Sequence, residues 1–354
     1  MKDRCLLYGS TGYTGQLIAR LAAEQGLPLV LAGRNAEKTG SLAAALGLDH
    51  VVFGLEDIDE VQENIQDFGA VLHAAGPFIR TAPPMMEACL RAGVHYLDIT
   101  GEIAVFEMAA ALGPRASETG IMLMPGAGFD VVPTDCAALY LKNQLPDATH
   151  LSLGIASVGS RLSHGTATTM AENLGGPGAV RRNGKIVAVP VGHQTKTIPY
   201  SDELKRFAMT IPWGDVSTAY YSTGIPNIEV YSAVHPKTYR WIKLQRYFNW
   251  LLRSNLVRNY MKSRIKKQPA GPDDKQRERG RSYVWGQVSN AAGEERTVRL
   301  SMPEGYTLTA ITSLNIVRKV LSGNAPAGFR TPAMAYGPDL ILEVEGAKRE
   351  ELGR

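Results

Sequence analysis

Leu6-Leu7-Tyr8-Gly9-Ser10-Thr11-Gly12-Tyr13-Thr14-Gly15, running on into Gln16-Leu17-Ile18-Ala19-Arg20-Leu21, is the stretch that decides how this chain folds. A short apolar strand feeds Gly-x-x-Gly-x-x-Gly and then a helix pattern. Glycine lets the backbone turn sharply and lie against a pyrophosphate, while the helix that follows offers its first-turn N–H groups to the anion. A lone glycine triplet carries little weight. Here it occupies the first strand–turn–helix of the chain, where a dinucleotide-binding domain keeps its phosphate site. Leu29-Val30-Leu31-Ala32-Gly33-Arg34 follows at the distance of a second strand. An acid at the end of that strand would hydrogen-bond a ribose 2′-hydroxyl, whereas Gly33 followed by Arg34 suits a 2′-phosphate. The cofactor expected is NADP(H).

Outward from that stretch, strand and helix alternate through the first third, the pattern of a parallel sheet covered on both faces. Strands are expected at 5–8, 29–32, 50–53, 70–73, 96–99 and 121–124, with helices at 12–24, 36–46 and 84–92 among those between them. The loop Ala74-Ala75-Gly76-Pro77-Phe78 narrows as it would beneath a cofactor. The pattern then changes. Segments 151–158, 186–189, 207–211, 229–233, 282–290 and 296–302 read as antiparallel strands, separated by turns such as Gly175-Gly176-Pro177-Gly178 and Asn183-Gly184. A helix at 307–321 precedes a Pro/Gly-rich tail and a strand at 340–344. The fold class is therefore α/β. A Rossmann doubly wound parallel sheet (1–135) carries a second α+β lobe with a mainly antiparallel sheet (136–304), inserted before a C-terminal helix and tail (305–354) that return to the first domain.

With 354 residues, 44% apolar and 20% charged, the composition is that of an ordinary globular protein long enough for two domains. Met1-Lys2-Asp3-Arg4 leads straight into the first strand and no apolar run is long enough to span a bilayer, so a cytoplasmic location is expected. Cys5, Cys89 and Cys136 match no zinc or Cys-x-x-Cys spacing and read as buried thiols, and no His cluster suggests a metal. A net charge of +4 gives no reason to expect nucleic acid. It hides an asymmetry, since no acidic residue lies between Glu229 and Asp273 while ten Lys and Arg fall at 237–267, interleaved with Trp241, Tyr247, Phe248, Trp250, Leu256 and Tyr260. Such a helical stretch either packs an apolar side on the second lobe with its cations solvated, or meets an anionic membrane surface or an acyl ligand.

Several further motifs occur together and in order: Ala75-Gly76-Pro77-Phe78, Gly93-Val94-His95-Tyr96-Leu97-Asp98-Ile99-Thr100-Gly101-Glu102 and Pro125-Gly126-Ala127-Gly128-Phe129-Asp130. With Gly9–Gly15 and Ala32-Gly33-Arg34 they resemble the saccharopine dehydrogenase-like reductases, especially the branch containing the trans-acting enoyl reductases of lipid biosynthesis. The likeness is strong over roughly the first 140 residues and loose beyond. It implies a Rossmann domain, NADP(H) and a second lobe closing over the substrate. By position it places Gly9, Ser10, Thr11, Gly12, Tyr13, Thr14 and Gly15 around the pyrophosphate. Gly33 and Arg34 fall at the 2′-phosphate, and Ala75, Gly76, Pro77 and Phe78 along the nicotinamide ribose. Gly101 and Glu102 stand at the end of strand five, on the carboxyl edge where such sheets bind ligands.

Hydride transfer also needs a proton donor for the charge that develops on the substrate. The candidates are Tyr96, Asp130 and His164, each with a structural alternative: a packed aromatic, a helix cap, and a residue packing or capping at a helix start. The Tyr-x-x-x-Lys dyad of short-chain dehydrogenases is missing from the Rossmann segment, since Tyr239 and Lys243 lie far outside it. The expected activity is an NADP(H)-dependent reduction of an enoyl, imine or carbonyl group in an acyl or lipid-like small molecule. The alternatives are saccharopine- or carboxynorspermidine-type chemistry, for which Arg161, Arg181 and Arg182 are candidate carboxylate holders, and a non-catalytic NADP(H) sensor. A homodimer is expected, with peripheral membrane contact through 237–267 as one of the two readings of that stretch.

Overall fold

Apolar runs without alternation fold into strands that need cover on both faces. The chain supplies them between helices: β1 (Cys5–Tyr8), α1 (Tyr13–Glu24), β2 (Leu29–Gly33), α2 (Ala36–Leu46), β3 (His50–Val52), α3 (Ile58–Ile65), β4 (Ala70–His73), α4 (Phe78–Ala92), β5 (His95–Asp98), α5 (Ile103–Ala111), α6 (Gly113–Glu118) and β6 (Met122–Met124). The computed structural model describes residues 2–352, except for the side chains of 245, 246 and 255; Arg246 of the basic stretch thus lies outside the described side chains. Two compact units emerge, one of residues up to Val132 with Tyr306–Ala335, the other of Pro133–Gly305 with Tyr336–Arg354.

The second unit holds α7 (Val132–Gln144), β7 (His150–Val158), α8 (His164–Glu172), β8 (Gly178–Arg182), β9 (Lys185–Val189), β10 (Thr195–Pro199), β11 (Lys205–Thr210), α9 (Asp215–Thr223) and β12 (Asn227–Ala233). After them come α10 (Pro236–Gln245), α11 (Asn249–Leu252), α12 (Asn255–Lys266), α13 (Asp274–Arg279), β13 (Arg281–Ser289) and β14 (Glu295–Pro303). The chain then re-enters the first unit with α14 (Gly305–Leu321) and β15 (Gly328–Phe329), and ends with α15 (Pro332–Tyr336) and β16 (Lys348–Leu352).

In the first unit the seven strands run in the order β15-β6-β5-β4-β1-β2-β3, all parallel. The chain winds outward from β1 through β2 to β3, then returns to β4 on the other side of β1. That reversal is the topological switch point of a Rossmann sheet, where the crevice opens at the strands' carboxyl ends. Tyr8 pairs with Ala32 on one side and His73 on the other, so the turns after β1, β2 and β4 emerge side by side. Leu6, Leu7, Leu31 and Leu72 are fully buried, each contributing about 1.5–3 kcal/mol of apolar transfer. The second unit is a mixed nine-stranded sheet in which β12 lies parallel to β7 while the remaining pairings are antiparallel.

Three expectations are corrected. The helix expected at 84–92 begins at Phe78 and carries Pro83 and Pro84 inside it. Proline favours the first helical turn, so it marked the wrong boundary. The strand expected at 340–344 is a 3₁₀ turn at Leu340–Glu343 that buries Leu340 and Ile341. Nor does the whole tail go back to the first domain: 336–354 belongs to the second unit, where β16 pairs with β14. Its sequence, Lys-Arg-Glu-Glu-Leu, has the charge of an edge strand and none of the alternation by which strands are recognised.

Candidate active site

Gly9 leaves β1 at φ +87°, a conformation that costs an L side chain about 1–2 kcal/mol. A Cβ there would stand 2.7 Å from the Ala75 nitrogen and 2.8 Å from the Ala74 carbonyl carbon, so the turns after β1 and β4 are in backbone contact. The Ala32 carbonyl accepts from the amides of Gly9 and Ser10 and from Ser10 Oγ at 2.9, 3.2 and 3.1 Å, which ties the turn to β2. Ser10 is fully buried with its amide and hydroxyl both bonded to Ala32, so it shapes the turn. A Cβ on Gly15 would overlap the Gly9 carbonyl oxygen. Gly12 is the N-cap of α1 and gives it no side-chain cap. The glycines thus bring a helix N-terminus without a side-chain cap and a tight backbone turn to the switch point, an arrangement that fits a pyrophosphate. Thr11 and Thr14 flank it half-buried, and the Tyr13 ring meets Tyr306 edge-on at 5.2 Å. Gly33 ends β2 and leaves Arg34 exposed beside the turn.

On the other side of the crevice, Ala75, Gly76, Pro77 and Phe78 connect β4 to α4, with Phe78 packed edge-on against His73 at 5.4 Å. Glu102 has a task the sequence did not reveal. Its two carboxylate oxygens accept from the amides of Phe78 and Ile79 at 2.9 and 3.0 Å, capping α4 from the end of β5. This external cap is why the helix starts ahead of its prolines. Glu102 thereby fixes the loop on which a cofactor would lie. Thr81 Oγ1 adds a bond to the Ala75 carbonyl at 2.6 Å.

Beneath that loop lies a buried polar cluster. The Tyr96 hydroxyl donates to Asp98 Oδ2 at 2.7 Å and stands 3.3 Å from His73 Nδ1. Asp98 Oδ1 accepts from the amides of Thr100 and Gly126, both at 2.9 Å, joining the loop after β5 to the loop after β6. Burial pushes the Asp98 carboxyl up to about 7 against these three donors, and holds His73 down at about 3.

The three candidate donors separate. Tyr96 is fully buried with its hydroxyl committed to Asp98, so it is a core residue and no substrate can reach it. His164 opens α8 in the second unit; its amide donates to the Ala270 carbonyl at 2.8 Å and its Nε2 to the Gln268 carbonyl at 2.7 Å. It fastens a helix start to the 268–270 segment. Asp130 is the candidate on the sheet's carboxyl edge: a Cβ on Gly101 would lie 3.0 Å from Asp130 Oδ2. It is half-buried, and desolvation pushes its carboxyl up to about 7.

A sequence model described as the saccharopine dehydrogenase NADP binding domain matches residues 5–124. Residues 5–124 thus resemble a saccharopine dehydrogenase NADP-binding domain. A saccharopine dehydrogenase-like oxidoreductase of Mus musculus is 26% identical over 246 residues, covering 60% of this chain and 57% of that one. A trans-acting enoyl reductase of Mycobacterium leprae is 34% identical over 138 residues, covering 37% of this chain and 33% of that one. The chain thus spans between a third and three fifths of these curated relatives. In fold the likeness is longer. An apo saccharopine dehydrogenase (L-Glu forming) from Saccharomyces cerevisiae superposes with a TM-score of 0.68 over 99% of this chain and 100% of that one at 13% identity. A homospermidine synthase from Legionella pneumophila in complex with NAD gives 0.64 over 99% and 92% at 9% identity.

The first unit is completed by residues beyond the matched segment. On α14, Thr309 Oγ1 accepts from the Phe129 amide at 3.0 Å and Thr312 Oγ1 donates to the Ala127 carbonyl at 2.9 Å, so this helix holds the loop that carries Asp130. The arginines considered for carboxylates have other work. Arg181 is buried, bonded to the carbonyls of Val216 and Gly184 at 2.8 and 2.7 Å and stacked 4.2 Å over Tyr220. Arg182 meets His193 Nε2 at 2.9 Å and Arg161 donates to Gln276 Oε1 at 2.9 Å. Arg181 and Arg182 also line a cleft of about 400 Å³, but Glu229 shares it.

Proposed function

We propose that the chain is an NADP(H)-dependent oxidoreductase that reduces an enoyl, imine or carbonyl group of an acyl or lipid-like substrate, with the second unit providing the substrate lobe. The observation that carries this reading is the backbone contact between the Gly9 turn and Ala74–Ala75 at the switch point, with Arg34 exposed beside it. When bound, NADPH supplies a hydride. The chain's own residues would hold it: the Gly9–Gly15 turn by the first-turn amides of α1, Arg34 by its guanidinium at the 2′-phosphate, and the Glu102-capped loop along the nicotinamide side. Asp130, with its carboxyl near 7, keeps a substantial protonated fraction at neutral pH, which suits a general acid delivering a proton to developing negative charge.

Saccharopine-type amino-acid chemistry has less support, because Arg181 is engaged by carbonyls and an aromatic face and Arg161 by Gln276. The cofactor reading is tested by titrating the protein with NADPH and NADH. A charge-assisted bond to phosphate contributes about 1.5–3 kcal/mol. Wild type should therefore favour NADPH by roughly 10- to 150-fold, and Arg34→Asp should erase that preference; equal affinity for NADH in the wild type refutes it. Turnover is tested by following NADPH absorbance with a panel of enoyl thioesters and imines. Binding without turnover across the panel would favour a redox sensor.

A further inference from the structure

The helical run α10–α12 presents a surface that hydride transfer does not use. One side is fastened to the second unit: Tyr239 packs on Phe207 at 5.3 Å, Arg253 donates to the Gly175 carbonyl at 2.9 Å, Lys262 pairs with Glu172 at 2.7 Å and Ile265 is buried. The other side is apolar and open. Trp241, Trp250 and Leu256 are 74%, 75% and 83% exposed, joined by Leu244, Phe248 and Tyr260. Trp241 and Leu244 recur at i, i+3 on α10 and Leu256 and Tyr260 at i, i+4 on α12, so each pair shares a helix face, with Phe248 in the 3₁₀ turn that follows α10. Soluble surfaces seldom leave large aromatics exposed in such density. Exposed cations bracket them, Lys237, Arg240 and Lys243 before and Arg264, Lys266 and Lys267 after.

We propose that this face docks on an anionic lipid bilayer, lying in its interface. Charge complementarity selects this occupant. With no acidic residue between Glu229 and Asp273, a second copy presenting the same face would meet it with like charge, whereas anionic headgroups attract it. Aromatic side chains suit the headgroup level, where a ring is buried and its polar edge stays wet. Among the described residues no helix is long and apolar enough to cross a membrane, so the face would lie in the interface plane.

The test is co-sedimentation of the full chain with phosphatidylcholine vesicles, with and without phosphatidylglycerol, at low and physiological salt. Binding should require phosphatidylglycerol and weaken with salt. Trp241→Ser/Trp250→Ser/Leu256→Ser should reduce it by more than tenfold, and Lys266→Glu/Lys267→Glu by at least about 25-fold, at roughly fivefold per cation removed. Both variants alter exposed side chains, and an unchanged thermal transition and NADPH titration confirm that each is folded. Failure of the wild type to sediment with anionic vesicles at low salt overturns the proposal, as does equal sedimentation with neutral ones or indifference to both variants. An oligomer that the triple substitution dissolves, without vesicle binding, would assign the face to a second copy instead. NADPH affinity is read separately, so either outcome leaves the cofactor site standing or falling on its own test.

Discussion

Glu102 offers the sharpest test of how this site is built, because its two roles, cap or ligand contact, predict different measurements. Its carboxylate accepts from the amides of Phe78 and Ile79 at 2.9 and 3.0 Å, the first turn of α4. Removing a helix cap costs about 0.5–2 kcal/mol, and a bond to an ionised acceptor is worth about 1.5–3 kcal/mol. Ile79 is 42% exposed, so water replaces part of what its amide loses, while the half-buried Phe78 amide is less well compensated. Glu102→Ala should therefore destabilise the protein by about 2 kcal/mol. Glu102→Gln keeps one acceptor but loses the charge that favours a helix N-terminus, and should cost about 1 kcal/mol. Urea unfolding followed by circular dichroism gives both values. Because the capped turn begins at the Gly76–Pro77 loop, NADPH affinity should fall in parallel, about tenfold for Ala. If both variants lose affinity equally while stability stays within 0.5 kcal/mol of wild type, the carboxylate contacts the cofactor and the capping argument is wrong.

Gly9→Ala should cost about 3 kcal/mol, combining the positive φ with displacement of the Ala74–Ala75 backbone; a loss under about 1 kcal/mol in urea would mean the two turns have slack. Asp98 should make stability fall as pH rises. Its carboxyl titrates near 7 in the folded chain and about 3.9 unfolded, so the native state binds the proton more tightly and the stabilisation present below about 4 is lost on passing through 7. The loss is on the order of 4 kcal/mol, and Asp98→Asn should reduce that slope in unfolding measured from pH 4 to 8, leaving the share of Asp130, whose carboxyl is also raised to about 7; an unchanged slope would assign it to other groups. In the reductase assay, Asp130→Asn should lower turnover by about 10²–10⁴-fold with NADPH binding intact, while Tyr96→Phe stays within a few-fold. The reverse ranking would return Tyr96 to the chemistry.

What could be read from the sequence follows from which atoms do the recognising. A pyrophosphate is held by backbone, so the requirement falls on residues that let the backbone approach, and glycine is the one residue type that meets it at Gly9 and Gly15. That makes the cofactor half visible as letters in order, with Arg34 adding a charge where β2 ends. The supporting layer is side chains acting across long sequence separations. Glu102 reaches α4 from the end of β5, and Asp98 reaches the Gly126 amide in the loop after β6. Each residue alone is compatible with many folds, so nothing local marks the partnership. The prolines in α4 misled for a related reason: propensity describes an isolated helix, and a cap supplied from another strand moved the boundary. α14 carries a signal of its own. Thr309, Thr312 and Ser313 stand at i, i+3, i+4 in a helix whose other buried residues are apolar. A buried polar stripe must find partners, and the backbone of a glycine-rich loop, with its carbonyls and amides turned out of any ladder, supplies them. Gly126 and Gly128 put such a loop at 126–129, and the contact of Gly128 with Thr309 is where the stripe meets it.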